Sequence, residues 1–115
     1  MEDKRKTYKM YFLVLYNLSP IQQWIQAWHA AVEYMIDYWH IVDTTEWASY
    51  DKTFIILNGW TTDTMKKHED YLKSVYVKYV SFQEPDLWWV TTAIAFLAAD
   101  DDYILKYFTN NFRLA

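Results

Sequence analysis

Cysteine is missing from these 115 residues, which excludes a disulfide framework and any thiolate zinc centre. The three histidines, His29, His40 and His68, are scattered and do not make a metal site in their place. A chain without cysteine is compatible with a reducing interior, and a cytoplasmic setting is expected. Positive charge does not prevail either. Lys and Arg number 11 against 15 Asp and Glu, a net charge of −4 that removes any general attraction to nucleic acid. The local cluster Lys4, Arg5, Lys6 and Lys9 reads as a solvated N-terminal tail, with 1–7 as its flexible part. Long apolar runs are missing as well. Met10–Tyr16 and Ala93–Ala99 are far too short to span a bilayer, so the chain is expected to be soluble, with no membrane partner. Glycine is nearly missing, one residue where average usage of about 7% would give roughly eight. A fold with several strand-to-helix turns needs glycine wherever φ is positive or the backbone must come close.

What is present suits one globular domain over 1–115: 53% hydrophobic and 23% charged residues, enough for a single moderate core. The clearest stretch is Ser19–Trp39. Ser19 is a good N-cap, Pro20 fits the first helical position, and Gln22 stands where it completes a capping box. Ile21, Trp24, Ile25, Trp28, Val32, Met35, Ile36 and Trp39 recur at helical spacing, and that face is expected to pack on a sheet. A second line, Gln22, Gln26, His29 and Glu33, places four hydrogen-bonding side chains on one stripe.

Before this helix, Tyr8–Tyr16 is a nearly unbroken run of aromatic and β-prone residues, which predicts a buried strand over 9–16. His40–Tyr50 is a polar connector in which Asp43 and Glu46 stand in capping-box relation, suggesting a short helix. Lys52–Asn58 is a second strand, ended by a turn at Asn58-Gly59. Thr62 or Asp63 caps a helix that buries Met65, His68, Leu72 and Val75, with His68 as packing. Strands over 77–83 and 91–98 follow, joined by a loop in which Pro85 stays out of the sheet. Asp100, Asp101 and Asp102 cap a last short helix over 103–108. The predicted class is α/β, a four-stranded mixed sheet with helices packed on it, in the order β-α-(α)-β-α-β-β-α. Its first two strands are parallel, and Leu13, Leu15, Ile55, Leu57 and Ile94 are central.

In this order of elements, Gln26, His29, Ala30 and Ala31 form a Gln-x-x-His-Ala-Ala signature on the first helix, and Gln83-Glu84 end the third strand before a loop. With these features, over about residues 9–99, the chain resembles a short member of the type II peptidyl-tRNA hydrolases, the archaeal and eukaryotic kind, closest to compact phage-borne versions. The resemblance implies an esterase that cleaves the peptide-tRNA bond without metal or other cofactor, with peptidyl-tRNA as partner. By this likeness His29 and Glu84 are the catalytic candidates, and Gln22, Gln26 and Asp86 the substrate-binding ones. Two departures stand out. The family's lysine falls on Gln22, and its Asp-Gly-Arg-Thr loop is replaced by Glu84, Pro85, Asp86, Leu87 and Trp88.

Several of the seven tryptophans occupy places where that family favours small residues. Were Trp24, Trp28, Trp39, Trp60, Trp88 and Trp89 glycine, leaving Trp47 alone, composition would be ordinary. A UGA codon that means glycine but was translated as tryptophan is one cause; a tryptophan-rich or redesigned protein with a binding face is the other. Three functions thus stay open: the hydrolase, a non-catalytic binding module of the same fold, and an interaction protein that uses its tryptophans to form a homodimer. The plainer readings of His29, a hydrogen-bonded helix histidine, and of Glu84, a solvated loop acid, stand beside the first.

Overall fold

An apolar run with side chains that bury on both faces needs partners on both edges, and β1 (Tyr8–Leu15) has them. The computed structural model describes residues 7–85, 89–100 and 102–111, the last three by their backbone alone. In it β1 pairs parallel with β2 (Thr53–Trp60) and antiparallel with β4 (Val90–Ala99), and β3 (Tyr79–Glu84) closes the far edge against β4. The sheet order is β2-β1-β4-β3, the expected mixed four-stranded sheet with its first two strands parallel. Leu13, Leu15, Leu57 and Ile94 are buried as expected, and Ile55 is half-buried.

Helix α1 (Pro20–Tyr38) begins as its sequence predicts. Gln22 N donates to Ser19 Oγ at 3.2 Å and Ser19 N donates to Gln22 Oε1 at 3.4 Å, a reciprocal cap of the kind worth about 1 kcal/mol. Its buried face is not the expected one. Gln26, Ala27, Ala30, Ala31 and Tyr34 face the sheet, while Ile21, Trp24, Ile25, Trp28, Val32, Ile36 and Trp39 are exposed and Met35 is only partly buried. Both stripes have helical spacing, and shape decides between them. Alanines let the helix settle close on a surface that includes Ala93, Ala95, Phe12 and Val14, where indole rings would hold it off.

After α1, α2 (Val42–Glu46) has Ile41 at its N-cap with no side-chain bond, so the expected Asp43–Glu46 box does not form. Asp43 Oδ1 instead accepts the Tyr8 hydroxyl at 2.9 Å. A π-helical turn, Trp47–Asp51, then brings Asp51 Oδ2 to Tyr8 N at 2.9 Å and seats the Trp47 ring in the core, its Nε1 donating to Thr53 O at 3.0 Å. The turn expected at Asn58-Gly59 is displaced: β2 continues to Trp60, and Gly59 lies inside it beside a register shift, where a Cβ would run into Met65 Sδ and the Val14 carbonyl.

Helix α3 (Thr62–Ser74) is capped by Thr61, one residue before the expected pair, and buries Met65, His68 and Leu72. It ends in paired bonds, Tyr76 N to Lys73 O and Val77 N to Leu72 O, which use up Val77 and start β3 at Tyr79. Helix α4 (Ile104–Asn111) starts where Ile104 N donates to Asp102 Oδ1 at 3.1 Å, and Asp101 lies outside the described residues. The sheet therefore has two cores. Met10, Phe12 and Val14 meet α1 and Trp47, whereas Tyr11, Leu13 and Leu15 share the other cluster with Met65, Leu72, Ile104 and Phe108.

Two stability predictions follow from this packing. Ala30→Leu overfills the close contact and is expected to cost about 1–3 kcal/mol, whereas exposed Ile36→Ser should change stability by less than about 0.5 kcal/mol in urea denaturation. His68 is buried edge-on to Phe108, and desolvation pushes its imidazole down from 6.5 to about 4, partly offset by the Gly59 backbone. The unfolded chain takes up this proton and the folded one resists, so stability is whole above pH 6.5 and is lost as pH falls toward 4. The loss amounts to about 3 kcal/mol, and His68→Leu should remove that part of the acid dependence in urea melts at stepped pH.

Candidate functional site

The three strands β1, β2 and β3 run in one direction, so their carboxyl ends, and the loop that enters β4, share one rim of the sheet. In open α/β sheets this is where ligand crevices form. A pocket of about 520 Å³ opens there, lined by Asn17, Leu18, Gln22, Ile25, Gln26, His29 and Glu84. Four of the five residues singled out from sequence, Gln22, Gln26, His29 and Glu84, thus line one pocket. The fifth, Asp86, lies outside the described residues.

Gln26 organises it. The alanine contact of α1 draws Gln26 down to the sheet, where it is buried and its amide needs partners within the protein. Its Nε2 donates to Glu84 Oε2 at 3.1 Å, and its Oε1 accepts the Thr92 hydroxyl at 2.6 Å. A carboxylate requires a donor, which fixes which way the amide points. The result is a chain from Thr92 through Gln26 to Glu84 that joins β4, α1 and the end of β3. The loop after Glu84 is closed by Trp89 N donating to Glu84 O at 3.0 Å.

His29, one turn further along α1, is exposed and lies flat on Phe82, with ring centroids 4.5 Å apart and 11° between the planes. Face-on stacking holds the ring while leaving both nitrogens at its edge, open to the pocket. Gln22 reaches the pocket from the first turn, where its amide also serves the cap. Among the described residues, none that lines the pocket is lysine or arginine. Lys9 does not take that place: it starts β1, at the opposite end of the sheet, with Nζ 3.1 Å from Asp100. Gln23 is tied to the Leu18 carbonyl at 3.3 Å.

Sequence reasoning missed Thr92 and Phe82. Each stands inside a segment that reads only as a strand, 91–98 and 77–83, with no local signal that sets it apart. Other hollows flank α1 on the β2 side, of about 570 Å³ and 200 Å³, and both are apolar and walled by the exposed tryptophans Trp24, Trp28 and Trp39. No helix among the described residues is long and apolar enough to cross a membrane. The chain matches no protein-family model and no curated protein.

Thr92→Val keeps the shape and removes the donor to Gln26 Oε1. Leaving that buried acceptor unpaired is expected to cost about 1–3 kcal/mol in urea denaturation. Glu84 should also lose its fixed position, which would appear as a changed Gln26 side-chain amide resonance.

Proposed function

We propose that this protein is a peptidyl-tRNA hydrolase-like esterase that cleaves the ester between peptide and tRNA by general-base attack of water, acting in the cytoplasm. The observation that carries the proposal is the convergence of His29, Gln26, Gln22 and Glu84, predicted from the family resemblance, on one pocket at the carboxyl rim of the sheet. In this reading neutral His29 takes a proton from water, and the water oxygen attacks the carbonyl carbon of the ester. The ester C–O bond then breaks, and the terminal ribose oxygen leaves with the proton that His29 had accepted, which restores the base. Glu84, held by Gln26, orients the water or shares the role of base, and in the same reading the Gln22 amide N–H donates to the oxyanion.

A binding module of the same fold is the second reading. Its support is the absence of a lysine or arginine from the pocket lining among the described residues, with Gln22 where the family has a cation.

Hydrolysis of a labelled peptidyl-tRNA separates the two. General-base assistance is typically worth about 10²–10⁴-fold, so His29→Ala should lower the rate by about that factor with the fold intact by circular dichroism. Gln22→Lys should raise the rate or leave it unchanged. A wild type no faster than buffer decides for the binding module, and an active wild type indifferent to His29→Ala removes His29 from the mechanism.

A further inference from the structure

Tryptophan is a residue that proteins mostly bury, and of the six tryptophans among the described residues only one behaves so. Trp47 is 5% exposed, edge-on to Phe54 and hydrogen bonded through its indole N–H. Trp24, Trp28, Trp39, Trp60 and Trp89 are 40–63% exposed. Two of them also have a backbone that a bulky residue rarely adopts: φ is 67° at Trp60 and 62° at Trp89. Lys52 and Tyr76 are the other described non-glycine residues with positive φ, and both follow helical segments, where a left-handed residue is the usual way out. Trp60 instead ends a strand, and Trp89 immediately precedes one. They stand at the carboxyl rim, Trp60 ending β2 with its N–H on Asn58 Oδ1 and its carbonyl on Tyr16 N, Trp89 closing the loop onto Glu84 O. The chain's only glycine, Gly59, is not at a left-handed position at all.

We infer that the backbone at Trp60 and Trp89 is built for glycine, and that the natural product carries glycine at 24, 28, 39, 60, 88 and 89, each specified by a UGA codon that its host reads as glycine. Exposure separates Trp47 from the five other described tryptophans, and backbone conformation adds a second mark at Trp60 and Trp89, along the line that one misread codon would draw. On α1 glycine is the weaker helix former, so at 24, 28 and 39 the assignment rests on exposure and on the shared codon. Trp88 lies outside the described residues and enters through its codon alone. The inference is independent of the hydrolase reading. It changes the surface in two ways: the hollows walled by Trp24, Trp28 and Trp39 become open surface, and the rim beside Glu84 becomes bare backbone that a ligand can approach.

The nucleotide sequence at these six codons, with the intact mass of the protein isolated from its own host, is expected to show UGA and a mass with glycine at each position. UGG codons, or a native mass that retains tryptophan, overturn the inference. In parallel, Trp60→Gly, Trp89→Gly and Trp47→Gly are made in the chain as written. The two rim variants should melt higher than the parent, each by on the order of 5 °C, and Trp47→Gly far lower. Rim variants that melt at or below the parent temperature overturn the claim that this backbone is built for glycine.

Discussion

The close seating of α1 on the sheet is the contact on which the site depends. Ala27, Ala30 and Ala31 share a core cluster with Ala93 and Ala95, so the helix backbone comes nearer the strands than larger side chains would allow. Gln26, next to this seam, is carried down with it and reaches both Thr92 and Glu84. His29, on the flank of the same turn, comes to rest on Phe82. Raising the helix by the width of one methylene would break hydrogen bonds of 2.6 Å and 3.1 Å before it disturbed the strands. Site and packing are therefore one constraint, and the short residues are as functional as the polar ones.

The same seam explains what could and could not be read in the chain. Strands were legible because buried strands are continuous apolar runs, and the start of α1 was legible because Ser19, Pro20 and Gln22 are a local signal. The packed face was not. Hydrophobic spacing ranks side chains by aversion to water, and by that measure isoleucine and tryptophan outrank alanine; distance to the sheet favours alanine. The polar stripe survived this error because Gln22, Gln26 and His29 keep their relative positions whichever face turns inward. Glu84 was found through the family resemblance, by way of Gln83-Glu84 at the end of the third strand. Thr92 stayed hidden because its partner Gln26 is 66 residues away, and nothing local to Thr91-Thr92 announces it.

Two different restraints act on the two candidate catalytic groups. Glu84 is held by a hydrogen bond that a substrate or water must share or displace. His29 is held by ring stacking, which fixes the plane of the imidazole but not which nitrogen carries the proton. A base must give up and take back a proton without leaving its post, and stacking permits that, since neither protonation state loses its contact with Phe82. This division suits His29 to proton transfer and Glu84 to orientation.

The ends of the sheet are built for opposite purposes. At the amino end of β1, Tyr8 N is bonded to Asp51, the Tyr8 hydroxyl to Asp43, Asp100 N to the Thr7 carbonyl, and Lys9 to Asp100. These bonds fasten the connector and the turn after β4 to the central strand, and the exposed Lys9 pair adds the least of them. At the carboxyl end stand the pocket, the open edge of His29 and two left-handed residues. With the end remote from the pocket fastened in this way, the rim is held by strand pairing and by the Thr92–Gln26–Glu84 chain. The sequence between Glu84 and Val90 can then vary while β3 and β4 stay paired and Gln26 keeps its carboxylate.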